Sequence, residues 1–278
     1  MKSVKQAFDL TSRVAVITGG TGLLGFKHAE AIAEMGGVPV LFDLDLEKTK
    51  ACAKELEKKY HVPAMGLAVD ISQEMQISSA LKKIISTFKR IDILVNNAAN
   101  NPKVESKDHS KFQGSRLENF PLEIWNQDIA VGLTGAFLCS RIIGTEMARR
   151  GKGVILNIAS DLALIGPDQR IYRRPGSPEN EQPVKPVSYS VVKSGLLGLT
   201  RYLATYWADR GVCVNALCPG GVYDQQDEGF VKRLSELIPL GHMASQDEYK
   251  AAIVFLVSDA SSYMTGSLLT IDGGRTCW

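Results

Sequence analysis

The chain has 278 residues, 45% of them hydrophobic, enough for a substantial core, and its 32 lysines and arginines against 30 aspartates and glutamates leave a formal charge of +2. A surplus this small, with no basic block, argues against a nucleic-acid partner, and no apolar run reaches the length that spans a bilayer, so no membrane role is expected. The five scattered cysteines (Cys52, Cys139, Cys213, Cys218, Cys277) offer no C-x-x-C pair or Cys/His cluster. They read as reduced thiols with no metal site, and with no signal-peptide pattern at the start a cytoplasmic protein is expected.

In chain order, short β-branched runs alternate with longer helical patterns. RVAVITG (13–19) reads as a buried strand and 23–36 as a helix; VPVLFD (38–43) is the second strand, followed by a charged helix over 46–60. AMGLAVD (64–70) is the third strand, and Ser72 is placed to cap the helix that runs on to residue 88. IDILVNNAA (91–99) is the fourth strand, 122–150 a long helix and GVILNIAS (153–160) the fifth strand. A helix opened by YSVVK (189–193) leads to VCVNALCP (212–219), the sixth strand. Ser245 and Glu248 predict a capping box for the last long helix, and LLTID closes a count of seven strands. This alternation predicts an α/β fold: a doubly wound, seven-stranded, mostly parallel Rossmann-type sheet with helices on both faces. With no linker and no repeat, residues 1–278 are expected to form a single domain. Two long loops, 161–187 and 220–245, leave the C-terminal ends of strands, where ligands bind in such sheets; the first is either a functional lid or a disordered insertion.

Between the first strand and first helix lies TGGTGLLG (18–25), whose glycines let backbone N–H groups approach a pyrophosphate at a helix N-terminus. Asp43, at the end of the second strand, can accept hydrogen bonds from both ribose hydroxyls of adenosine and would repel a 2′-phosphate. No arginine or lysine stands beside it, so NAD is the expected cofactor. Tyr189 and Lys193, four apart, share one helix face. Taken alone they are a packed aromatic with a solvated neighbour or a proton donor with a tuned pKa.

Together TGGTGLLG, the acid after the second strand, VD (69–70), NNAA (96–99), NIAS (157–160), YSVVK and NALCPGG resemble the short-chain dehydrogenase/reductase family, over nearly the whole chain from about residue 10 to DGG (272–274). The resemblance implies that Tyr189 is the general acid/base, that Lys193 lowers the phenol's pKa and binds the nicotinamide ribose, and that Ser160 hydrogen-bonds the substrate oxygen. It implies further cofactor contacts from Gly19, Thr21, Leu24 and Gly25 at the phosphates, Asp70 and Ile71 at the adenine, and Asn97 and Ala98 on the ribose side. Pro219, Gly220 and Val222 would lie on the nicotinamide side. Turn-making is an equal reading of Asn97. A homotetramer or homodimer built through the two long helices is also implied.

Three features depart from the family pattern. Leu23 stands where the compact branch usually has the middle glycine of its turn. Gly132, in VGLTG, occupies the place of a helix asparagine that holds a relay water, so the relay here is expected to use backbone carbonyls beside Gly132. Ser160 and Tyr189 are 29 positions apart instead of about a dozen, and the surplus carries Arg170, Arg173 and Arg174. Turned inward, these arginines would favour an anionic polyhydroxy substrate; turned outward, they make a solvated basic loop. The expectation is an NAD(H)-dependent oxidoreductase interconverting a secondary alcohol and a ketone of a sugar, sugar acid or other polar polyol. Two rivals remain: a non-catalytic NAD-binding regulatory or scaffold protein, and a sugar-nucleotide epimerase or dehydratase that retains NAD.

Overall fold

The structure, a computed structural model, describes residues 3–100, Val104 and residues 114–278. Its strands are β1 (Val14–Thr18), β2 (Val38–Asp43), β3 (Met65–Ala68), β4 (Ile93–Asn96), β5 (Gly153–Ile158), β6 (Val212–Pro219) and β7 (Leu268–Ile271), ordered β3-β2-β1-β4-β5-β6-β7. Every pairing in this sheet is parallel.

Alternation along β1 shows how the sheet builds two cores. Val14 and Val16 face one layer and Ala15 and Ile17 the other, because successive Cβ atoms point to opposite faces. The first layer meets α4 (Glu74–Phe88), α6 (Gly135–Arg149) and α7 (Val187–Tyr206) through Ile77, Ile84, Ile143, Met147 and Leu203. The second meets α2 (Leu23–Glu34), α3 (Leu46–Tyr60) and α9 (Lys250–Val257) through Ile32, Leu56, Ile253 and Leu256. Each fully buried side chain of this size contributes about 1.5–3 kcal/mol. Since β1 has β2 on one side and β4 on the other, the chain winds away from it in both directions, and a crevice opens above the strand C-termini.

Helix ends and caps depart from the sequence-based expectation. A short first helix, α1 (Val4–Phe8), carries a complete capping box from Ser3 and Gln6. Ser72 does not cap α4: Gln73 holds that position, and the Ser72 hydroxyl donates instead to Asp70 Oδ1 at 2.7 Å. Ser245 Oγ donates to Glu248 Oε2 at 2.9 Å, but α9 starts only at Lys250, so their pair closes a turn ahead of the helix. Helix α7 begins two residues before Tyr189, after Pro186. Burial pushes the Cys139 thiol up to about 12 and the Cys218 thiol up to about 11, so both stay protonated at neutral pH.

The long helix predicted over 122–150 is α5 (Leu122–Ile129) and α6 joined by a π segment, Ala130–Thr134, in which the Gly135 N–H reaches back five residues to the Ala130 carbonyl. By length and composition Leu122–Arg149 could cross a bilayer, although no such segment is expected from the sequence, but Cys139, Ile143 and Met147 are fully buried against the sheet. Gly132 sits inside the π segment, and a Cβ there would lie 2.5 Å from Val192 Cγ1 on α7. The missing side chain is what lets α7 approach. Replacing Gly132→Asn is therefore expected to cost about 1–3 kcal/mol through overpacking, with most of the loss recovered by Val192→Ala. Urea unfolding of the single and double variants measures both.

Candidate active site

At the β1–α2 turn the chain must fold back on itself closely. Gly19 has φ +62°, and a Cβ on Gly25 would stand 2.0 Å from the Gly19 carbonyl oxygen, so only glycine lets the helix start this near the strand. Asn97, from the end of β4, donates its side-chain amide to the carbonyls of Thr18 (2.9 Å) and Gly19 (3.3 Å), while the Asn97 and Ala98 N–H groups donate to Thr18 Oγ1. The turn-making reading of Asn97 thus holds, and the residue still lines the crevice. Thr21 gives both its N–H and its hydroxyl to Asp43 Oδ2 (3.1 and 2.7 Å), fixing the carboxylate at the rim. It orients Asp43 and does not itself line the cavity.

One cavity of about 790 Å³ runs across these strand ends. Gly19, Leu24, Gly25, Asp43, Asp70 and Ile71 line it on the β2–β1 side. Ser160, Tyr189, Lys193, Pro219, Gly220 and Val222 line it on the β5–β6 side, with Asn97 and Ala98 between. The residues fit a dinucleotide: a glycine cradle that any side chain would fill, a helix N-terminus with its unpaired donors and dipole, and a rim carboxylate whose Oδ1, holding only the Leu44 N–H at 2.9 Å, keeps a lone pair for a further hydrogen bond.

At the other end, Lys193 is buried and donates to the Ile158 carbonyl at 2.8 Å, with its ammonium 5.8 Å from the Tyr189 ring centre. Burial, reinforced by the charge of Lys185, lowers its pKa to about 8. Ser160 donates its hydroxyl to Asp161 Oδ1 at 2.8 Å, and Asp161 Oδ2 in turn accepts from Arg275 at 2.7 Å, a pair buried in the cavity wall. With its proton engaged there and one lone pair taken by the Leu162 N–H at 3.2 Å, Ser160 Oγ keeps one lone pair for a substrate hydroxyl. A turn about its Cβ–Oγ bond would redirect the proton to a developing oxyanion.

The three arginines of the inserted loop do not turn inward. Arg170 is forked onto Asp168 (2.7–3.2 Å), Arg173 pairs with Glu179 at 3.0 Å, and Arg174 donates to the Val104 carbonyl at 3.0 Å. None of them lines the cavity. Carboxylates within the same loop neutralise the first two before either can turn inward. The loop itself is folded: Ile171 and Tyr172 pack with Phe230, Leu234 and Ile238 of the segment after β6, and Arg233 donates to the Ile171 and Arg173 carbonyls. Its cavity-facing charged residues are Asp161 and Lys185, neither predicted from the sequence, and Arg275 joins them from the end of the chain. Asp161 was signalled only by standing next to Ser160, and nothing in the sequence tied Arg275 to it.

A family model described as short chain dehydrogenase matches residues 13–172, and a second, described as Enoyl-(Acyl carrier protein) reductase, matches 179–276. A D-threitol dehydrogenase of Mycolicibacterium smegmatis is 32% identical, covering 99% of this chain and 96% of its own. An NAD-dependent glycerol dehydrogenase of Listeria innocua is 31% identical, with 99% and 98% covered. Among solved structures, a gluconate 5-dehydrogenase from Burkholderia cenocepacia in complex with NADP and tartrate superposes with a TM-score of 0.86 at 26% identity, covering 99% of this chain and 100% of that one.

The lowered pKa of Lys193 gives a stability signature. Its folded value, about 8, lies below the ordinary 10.5, so the folded state disfavours the proton. The cost is full below pH 8, shrinks as pH rises from 8 to 10.5, and is gone above. The isosteric Lys193→Met variant is expected to melt higher than the wild type at pH 7, with the gap narrowing as pH approaches 10, read by thermal denaturation across that range.

Proposed function

Given that the chain belongs to the short-chain dehydrogenase family, whose members bind a nicotinamide cofactor and act on alcohols, we propose that it uses NAD(H) to interconvert a secondary alcohol and a ketone on a sugar, sugar acid or other polar polyol. The observation that carries this is one crevice bounded by the glycine cradle and Asp43 at one end and by Ser160, Tyr189 and Lys193 at the other. Asp43, held by Thr21 with no lysine or arginine among the described residues lining its end of the cavity, supports NAD. The threitol, glycerol and gluconate dehydrogenases among its relatives support a polyol or sugar-acid substrate.

When bound, a nicotinamide ring would supply the hydride acceptor or donor. Tyr189 takes the hydroxyl proton during oxidation and returns it during reduction. Two ammonium groups stand over its ring, Lys185 at 4.0 Å and Lys193 at 5.8 Å, where positive charge favours a phenolate over a phenol. Ser160 binds the reacting oxygen. Lys193, anchored on the Ile158 carbonyl, holds its charge beside the phenol and within reach of a cofactor ribose. The proton leaves through water held by backbone carbonyls of the π segment, whose wider turn breaks the regular ladder where the family's asparagine would stand. A homo-oligomer paired through the long helices is part of the same reading, supported by exposed Phe137 on α6 and by exposed Tyr202 and Tyr206 stacked on α7.

Gly132 is the one feature that favours a non-catalytic NAD-binding role. Tyr189→Phe decides: turnover is expected to fall at least 10²-fold with NADH binding, followed by fluorescence, unchanged. Turnover persisting in that variant sinks the assignment, and product formed without net NADH change points to an epimerase or dehydratase. Gly132→Asn/Val192→Ala is expected to leave turnover within a few fold, whereas a large gain would show the carbonyl-held relay to be incomplete. Asp43→Ala is expected to move the NADH-to-NADPH binding ratio toward NADPH by about tenfold, the worth of a charged hydrogen bond.

A further inference from the structure

A serine hydroxyl has one proton and two lone pairs, and the wall around Ser160 takes up the proton and one of the pairs. The proton goes to Asp161 Oδ1 at 2.8 Å, and the Leu162 N–H occupies a lone pair at 3.2 Å. Through that second contact Ser160 caps the short 3-10 turn Asp161–Ala163, so the arrangement belongs to the fold and does not wait for a ligand. Ser160 lines the cavity, and among the described residues the place it leaves open is an acceptor.

Asp161 is itself held from two sides. Its Oδ1 also accepts from the Leu162 N–H at 2.8 Å, and its Oδ2 accepts from Arg275 at 2.7 Å. The two side chains are only 3% and 6% exposed, yet both residues line the cavity. A guanidinium is always a donor, so it fixes the carboxylate from behind and leaves Oδ1 facing Ser160 as an acceptor. Arg275 is set by the turn before it, where the Asp272 carboxylate accepts from the N–H groups of Gly274 (2.9 Å) and Thr276 (2.8 Å). A buried ion pair often holds a chain end no better than an apolar pair of similar volume. The distinctive effect of this one is the direction it gives the Ser160 bond.

We infer that Asp161, clamped by Arg275, is a positioning residue that withholds the Ser160 proton, so that the site binds the alcohol form of its substrate directly and the ketone form only by breaking the Ser160–Asp161 bond. The inference rests on the dehydrogenase reading above and adds which redox form the site is set for. An alcohol oxygen brings its own proton and can donate to the open lone pair of Ser160 without disturbing the wall. A ketone oxygen has only lone pairs, and must draw the Ser160 proton from a carboxylate, a stronger acceptor than itself. In oxidation the substrate hydroxyl turns to Tyr189 and gives it the proton as hydride leaves the carbon for the nicotinamide. The Ser160 O–H then swings from Asp161 to the carbonyl oxygen that forms. It stays bonded to Ser160 throughout, and Asp161 takes no proton.

Two measurements on the full chain test it. In the first, calorimetry follows binding in ternary complexes that cannot react: an alcohol to protein saturated with NADH, and the matching ketone to protein saturated with NAD. The probes are glycerol with dihydroxyacetone and threitol with erythrulose. Asp161→Ala/Arg275→Met removes the acceptor and leaves no buried charge. It is expected to tighten ketone binding about tenfold, the size of the competition from a charged hydrogen bond, while alcohol binding moves less than about threefold. Arg275→Lys keeps a cation on Asp161 and is expected to keep the wild-type ratio of ketone to alcohol affinity. Ketone and alcohol affinities that move together in the double variant, as loss of a merely structural pair would make them, overturn the inference, and so does a ketone affinity that stays or falls. In the second, neutron diffraction from D2O-exchanged crystals of the wild-type NADH complex locates the deuteron of Ser160. It is expected on Oγ, directed at Asp161 Oδ1. A deuteron directed into the cavity, or carried by Asp161, overturns the inference whether or not the double variant folds. A wild type that binds neither probe pair and turns over no polyol counts against the dehydrogenase reading, while the neutron map still decides whether Asp161 withholds the proton.

Discussion

A buried hydrogen bond from the Lys193 ammonium to the Ile158 carbonyl ties helix α7 to the last residue of β5. Everything at the chemical end of the crevice is placed relative to it. Ser160 follows Ile158 by two residues on the strand, and Tyr189 precedes Lys193 by one turn on the helix. A charge buried this deeply is costly, and its lowered pKa expresses that cost. The fold retains it because an apolar side chain could neither grip the strand nor carry a cation to the phenol.

Around this bond the sheet and helices are joined by polar groups as well as apolar ones. Asn96 on β4 donates to Ser140 on α6 and to Asn157 on β5, and Asn157 donates to Thr200 on α7. In a low-dielectric interior such contacts help fix register and helix rotation, although Asn96 Oδ1 finds no partner among the described residues. The Asp161–Arg275 pair extends the same logic to the last residues of the chain, which it draws against Ser160. Gly132 and Val192 act by shape: the π segment and the absent side chain let α7 settle where Lys193 can reach β5.

Much of this was legible in the residues. The seven strands, their parallel order and the placement of Gly19, Asp43, Ser160, Tyr189 and Lys193 on one crevice follow from unbroken apolar runs, from glycine where backbone must approach backbone, and from ordered motifs. What was not legible turned on competition between partners. Ser72 could cap a helix but found Asp70 first. Arg170 and Arg173 could face a substrate but found Asp168 and Glu179 in their own loop. Lys185, Asp161 and Arg275 carried no pattern of their own.

The sequence by itself determined the sheet, the cradle at its switch point and the tyrosine–lysine face, because each depends on period or spacing within a short stretch of chain. Only the tertiary structure decided which charges point inward. Residue 161 meets residue 275, and Lys185 stands over the Tyr189 ring. Charge orientation depends on which counter-charge is nearest in space, and that distance exists only once the loops have closed over the strand ends.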